Sequence, residues 1–207
     1  MKYLIKQAIL PFIYLFFTAL TAFGILCIGN DLIWLKALLN VLNAGLYVFI
    51  VCLASFKDGQ DALKVRLAND LEREQIIRTG ENRPLRLAEE YKPWKGFAIG
   101  GIACVPLVVL LLVHTILILT AGDKFVGAGA LASFIYMIIF AFTRMNLPAV
   151  AEGTPVVVDP YVYYWTLFAI PLIVLAVGIP YMLGARKIEL QQERIRAKHK
   201  SIYGDKN

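Results

Sequence analysis

Apolar and polar residues along this chain are gathered into long blocks. Five apolar runs cover residues 8–29, 32–56, 97–122, 125–142 and 161–184. They do not alternate with period two, which rules out barrel strands. A helix rises about 1.5 Å per residue, so about 20 residues cross a hydrocarbon core of about 30 Å. The first, second, third and fifth runs clear that length, and the fourth, at about 18 residues, sits at its margin. Backbone in lipid must satisfy its own hydrogen bonds, so the spans are expected to be helices. The pattern predicts an all-α, polytopic integral membrane helix bundle. It has four full spans, plus a fourth apolar segment that is re-entrant or a fifth span.

The runs divide the chain into a transmembrane helical hairpin (1–56), a charged amphipathic segment (57–96), further transmembrane helices (97–184) with a Pro/Gly-broken outer loop at 145–160, and a basic tail (185–207). The charged segment holds nine Lys/Arg and eight Asp/Glu. Within it, Asp58 is expected to cap a helix carrying Leu63, Leu67 and Leu71 at four-residue spacing, with Gly80 as its stop. Pro84 is expected to open a second short helix ending near Tyr91. Both helices would lie on the membrane surface. Tyr91 and Trp94, beside Lys92 and Lys95, form a candidate pair of interfacial anchors. The tail is expected to continue the fifth helix into water.

Composition reinforces the membrane reading. Hydrophobic residues make up 59% of the 207 and charged residues 17%, with a mean hydropathy of +0.66. Soluble domains lie near 45–50% and 25%, so an ordinary soluble protein is excluded, as are a disordered chain and a disulfide-rich module. Cys27, Cys52 and Cys104 sit inside apolar runs without metal-ligand spacing and read as small buried hydrophobes. Lys2 and Lys6 precede the first run as in a signal peptide. That run continues beyond the length of a signal peptide's apolar core, and a retained first span is expected.

The formal charge of +6 changes the picture only through its placement. Of 21 Lys/Arg, two precede the first span, nine lie in the charged segment and seven in the tail. Positive residues favour the cytoplasmic side, so these 18 should share it, with both termini. Their partners would be anionic head groups rather than nucleic acid. All 18 share a side only if one later segment does not fully cross. The weakest segment is 125–142, and the preferred arrangement has it dip in and return outward. Five plain spans with a translocated tail are the alternative. A bacterial inner membrane is the expected location.

Candidate chemistry is sparse. Lys36, Asn40, Asn43 and Tyr47 follow i, i+4, i+7, i+11 spacing and share one helix face. The stripe reads either as interhelical glue or as a solute-facing surface, with Lys36 near enough to the span's end to snorkel outward. His114 lies deep in the third span. Arg144 closes the fourth segment and would clamp an anion if that segment re-enters. Gly127, Gly129 and Ser133, with Ala37, Ala44 and Gly45, are candidate close-packing residues, and Pro11, Pro106, Pro171 and Pro180 are candidate kinks. The run Asp58-Gly59-Gln60-Asp61-Ala62 is similar to the acidic cluster of alcohol phosphatidyltransferases over five residues, without the following arginine or the later aspartate pair. Glu89-Glu90 is similar to the paired glutamates of abortive-infection-type intramembrane proteases, without their arginine and histidine motifs. Hydrolase, metalloprotease, nucleotide-binding and dinucleotide motifs are absent, so no catalytic or metal residues and no cofactor are expected. The leading expectation is a non-enzymatic membrane component of a transport assembly, either solute-binding or accessory. A structural or regulatory scaffold, with a cytoplasmic or membrane protein partner, is the second. A lipid-modifying enzyme is the third.

Overall fold

A computed structural model describes residues 2–26, 32–80, 84–121, 164 and 167–203. Most of these residues are helical and none forms a strand. The helices are α1 (Lys2–Leu26), α2 (Ile33–Thr79), α3 (Trp94–Ala103), α4 (Val105–Ala121) and α5 (Ala169–Tyr203). The segment 125–142, the loop 145–160, Cys27 and Arg144 lie outside the described residues.

Among the described residues, three helices (α1, α2 and α5) are long and apolar enough to cross a membrane alone. The expected third span is instead a bent pair, and it makes a fourth only if α3 and α4 count as one. The two meet at 42° around Cys104. The cause is Pro106, which lacks an N–H and crowds the carbonyl four residues back. At the second position of α4 that missing donor costs nothing. The Cys104 N–H closes α3 on the Gly101 carbonyl at 3.1 Å. Pro11 and Pro180, by contrast, lie inside continuous helices.

α2 departs most from expectation. Asp58 does not cap a new helix, because α2 runs unbroken for 47 residues. Its length is about 70 Å, more than twice a hydrocarbon core. No proline interrupts it, so the charged half continues the apolar half and does not turn to lie along a surface. Gly80 ends it as expected, at φ 70°, with its N–H on the Ile76 carbonyl at 2.8 Å. That left-handed conformation suits glycine.

The short helix expected over 84–91 does not form. Residues 84–93 are a non-helical strap pinned to α2. Tyr91 N–H donates to the Ala62 carbonyl (3.1 Å) and Arg86 N–H to Asn69 Oδ1 (3.2 Å). Glu90 Oε1 accepts from Asn69 Nδ2 (2.8 Å) and from Arg73 (2.7 Å). The Lys95 ammonium donates to the Ala88 and Glu90 carbonyls at 2.8 and 2.6 Å. So short a segment cannot repay helix nucleation, whereas α2 offers it partners for these groups.

Glycines set the helix contacts; of those singled out in the sequence, Gly127 and Gly129 lie outside the described residues and Gly45 makes no close contact. Nothing lies within 4 Å of a Cβ added at Gly45. One at Gly59 of α2 would strike the Tyr181 carbonyl of α5, and one at Gly184 would strike the Phe56 carbonyl. The two helices thus cross backbone to backbone, with reciprocal contacts at residues 56/59 and 181/184. On α3, Gly96 faces the Tyr181 side chain and Gly100 the Val174 Cα (2.9 Å from an added Cβ).

These contacts fix direction. Gly96 meets Tyr181 and Gly100 meets Val174, so α3 is antiparallel to α5. Cys52 Sγ donates to the Ala176 carbonyl (3.4 Å), and seven residues later Gly59 meets Tyr181, so α2 and α5 run parallel. Asn43 Nδ2 donates to the Thr18 carbonyl (2.9 Å) between antiparallel α1 and α2. Lys95 sits 5.5 Å over the Tyr3 ring, and Lys187 lies 5.5 Å over Phe56. The start of α1, the charged half of α2 and the charged half of α5 therefore gather at one end of the bundle.

Candidate functional site

The polar stripe of α2 faces the interior. Lys36 (6% exposed), Asn40 (1%) and Tyr47 (4%) are buried, while Val41, Leu42 and Leu46 between them are exposed. Lys36 is not drawn out to the surface, contrary to the snorkelling expectation. Asn43 is half-buried and bonded to α1. That bond is of the kind a gluing role requires. Asn40 differs. Among the described residues, its amide nitrogen and oxygen both lack a hydrogen-bond partner, as does the Tyr47 hydroxyl two turns on. A buried amide without partners costs about 2–7 kcal/mol, so this arrangement is electrostatically strained unless polar matter enters beside it.

His114 is fully buried on α4, its ring centre 5.9 Å from that of Tyr164. On the next residue, the Thr115 hydroxyl shares a 2.6 Å hydrogen bond with the Tyr164 hydroxyl. These contacts tie α4 to the chain just ahead of α5, at the end of the bundle away from the charged halves. Arg144 lies outside the described residues. Lys36, Asn40 and Tyr47 form one line on α2; His114 lies on a different element.

The anchor pair divides. Trp94 is exposed at the start of α3, as an interfacial residue should be. Tyr91 turns inward and stacks on Tyr181 with ring centres 5.5 Å apart and planes at 22°. Lys95, expected to flank it in water, is 5% exposed and bonded to backbone carbonyls.

Sequence reasoning missed Asn69, 2% exposed, which sits at the centre of the Glu90–Arg73–Arg86 network. Glu90 was visible only as half of an acidic pair. Asp58 is half-buried beyond the apolar part of α2. Burial, then the neighbouring Asp61 carboxylate, push its carboxyl up to about 6, against a smaller pull from Lys57. Among the described residues, no group of three or more His, Cys, Asp or Glu is placed to hold a metal ion. No protein-family model, curated protein or solved structure matches the chain.

Proposed function

We propose that this chain is a non-enzymatic membrane component of a transport assembly, with the α2 stripe as a polar path or solute-facing surface within the bundle. The observation that carries this reading is Asn40, buried to 1% exposure with both amide atoms unpartnered. Intramembrane polar groups left in that state are costly and mark pathways more than packing. Lys36 and Tyr47, buried on the same face, extend the polar line over about three turns.

Two experiments test it. If Asn40 faces polar matter, Asn40→Leu loses that contact but relieves an unpaired amide in the purified protein. Its thermal stability should then rise by about 1 kcal/mol, with insertion unchanged. If Asn40 glues helices, the same change destabilises, and the reading fails. In a variant without its three native cysteines, a cysteine at 40 should react with a small aqueous thiol reagent, and one at the exposed position 46 should not.

The proposed topology is two full spans (α1 and α2), the bent α3–α4 pair as the third, and α5 as the last, with both termini cytoplasmic. Parallel α2 and α5 support it. If α2 runs inward, so does α5, and the chain between α4 and α5 makes an even number of crossings. A re-entrant 125–142 meets that condition, whereas a single plain fifth span does not. All 18 flanking basic residues then share the cytoplasmic face with anionic lipid. A bacterial inner membrane remains the proposed location.

A second reading is favoured by one observation. Leu71 (64% exposed) and Ile77 (83%) stand on the charged end of α2. They suit docking of a soluble protein, as in a scaffold or accessory subunit. Gentle purification from the native membrane with mass spectrometry tests this, because a partner lost on Leu71→Asp/Ile77→Asp supports docking there.

A further inference from the structure

Where α2 passes from apolar to charged sequence, a cleft of about 490 Å³ opens between it, the first turns of α1 and the strap. Its rim carries both signs of charge: Lys2 and Lys6 from α1, Asp58 and Asp61 from α2, and Glu89 from the strap. Asp61 is spoken for by Lys64 at 3.0 Å. Among the described residues, Lys2, Lys6, Asp58 and Glu89 make no ion pair, although they face one cleft. Two cations and two anions around a space of ligand size, without collapse into pairs, mark a place for a molecule that carries both charges.

We infer that the cleft binds the head group of a zwitterionic phospholipid, with its phosphate on Lys2 and Lys6 and its primary ammonium on Asp58 and Glu89. Two observations support a lipid over a soluble zwitterion. The cleft lies at the boundary between apolar and charged sequence, where head groups lie. On α1, Ile5, Ile9 and Ile13 continue along the helix from the lysines at four-residue spacing, and all three are exposed. They offer an apolar track for acyl chains. Lysine pairs are compact point charges suited to phosphate. Asp58, half-buried and elevated by burial, gains most from a bound ammonium. The inference stands apart from the Asn40 reading, since it uses none of the same residues.

The test is native mass spectrometry of the full chain released from nanodiscs holding equal phosphatidylethanolamine and phosphatidylglycerol with identical acyl chains. The expected result is retention of phosphatidylethanolamine over phosphatidylglycerol by at least about fivefold, the upper worth of one solvent-exposed ion pair. Asp58→Asn should abolish that preference. The double variant Lys2→Gln/Lys6→Gln, in which both replaced side chains are exposed and folding is not at stake, should lower retention of both lipids, because both carry the phosphate. Lys64→Gln should leave it unchanged. Equal retention of both lipids by the unsubstituted protein overturns the inference, as does a preference that survives Asp58→Asn or a total retention that the lysine double variant leaves unchanged. Binding of free O-phosphoethanolamine without any lipid preference also overturns it, and assigns the cleft to a soluble zwitterion.

Discussion

The crossing of α2 and α5 yields a sharp prediction, because it rests on two backbone carbonyls and not on flexible side chains. A methyl group at Gly59 would lie 2.8 Å from the Tyr181 carbonyl carbon and 3.0 Å from its Cα, with the carbonyl oxygen nearer still. Ordinary carbon contacts are about 3.5–4.0 Å, so the helices must part by roughly 1 Å. Overpacking of that size costs about 1–3 kcal/mol. Alanine returns up to about 1 kcal/mol through helix propensity, which leaves Gly59→Ala a net loss of about 1–2 kcal/mol. Gly184→Ala meets the Phe56 carbonyl and should lose a similar amount. Once one methyl has parted the helices, the second finds room already made. The double variant should therefore lose about 1 kcal/mol less than the two single losses added together. Gly45→Ala on the same helix has nothing within 4 Å and should be neutral or stabilising by up to about 1 kcal/mol. Reversible unfolding in mixed micelles measures all four. Gly59→Ala at or above parental stability, or strict additivity in the double variant, would refute the crossing.

Further outcomes follow from the strap, Asp58 and the chain direction. Glu90→Ala strands Asn69, which is 2% exposed, and should cost about 1–3 kcal/mol; limited proteolysis should then open residues 84–93 first. The Arg73 side of that network, 42% exposed, should matter less, so Arg73→Ala costs under about 1 kcal/mol. Asp58 has a folded pKa of about 6 against 3.8 for the free group, so the folded state holds the extra proton. Stability should fall as pH rises from about 4 to 6, by about 1 kcal/mol once the shift is discounted for solvent screening. Asp58→Asn should flatten that slope, as thermal melts across the range would show. A periplasm-active reporter fused after Val150 should be active and one fused after Lys200 inactive; the reverse at Lys200 would break the parallel α2–α5 topology.

What could be read from the sequence divides by range. Apolar runs announced α1, the first half of α2 and α5, because hydropathy over 20 residues is a local property and lipid leaves helices no competitor. Gly80 was legible as a stop because a left-handed C-cap is a one-residue signal. The continuation of α2 through Asp58 was misread, because a capping residue also tolerates a helix interior when no proline or glycine pair compels a break. The strap was invisible for another reason: its partners, Asn69 with Glu90 and Ala62 with Tyr91, lie 21 and 29 residues apart, beyond any periodicity. The polar stripe was legible as a face, whereas the difference between Asn43, bonded to Thr18, and Asn40, bonded to nothing, depends on what another helix presents.

Packing and charge bear on topology independently, and here they agree. The positive-inside rule uses only the number of Lys and Arg beside each span and takes no account of which helices touch. The contacts of Gly59, Gly184 and Cys52 involve no charge at all, yet they align α2 with α5 and bring both charged halves to the end where α1 begins. A translocated tail would require α5 to run against α2. The contact pairs at 52/176 and 59/181 would then have to be exchanged for ones in which residue numbers rise on one helix as they fall on the other. The parallel run of α2 and α5 at 52/176 and 59/181 therefore supports the proposed topology on grounds independent of charge.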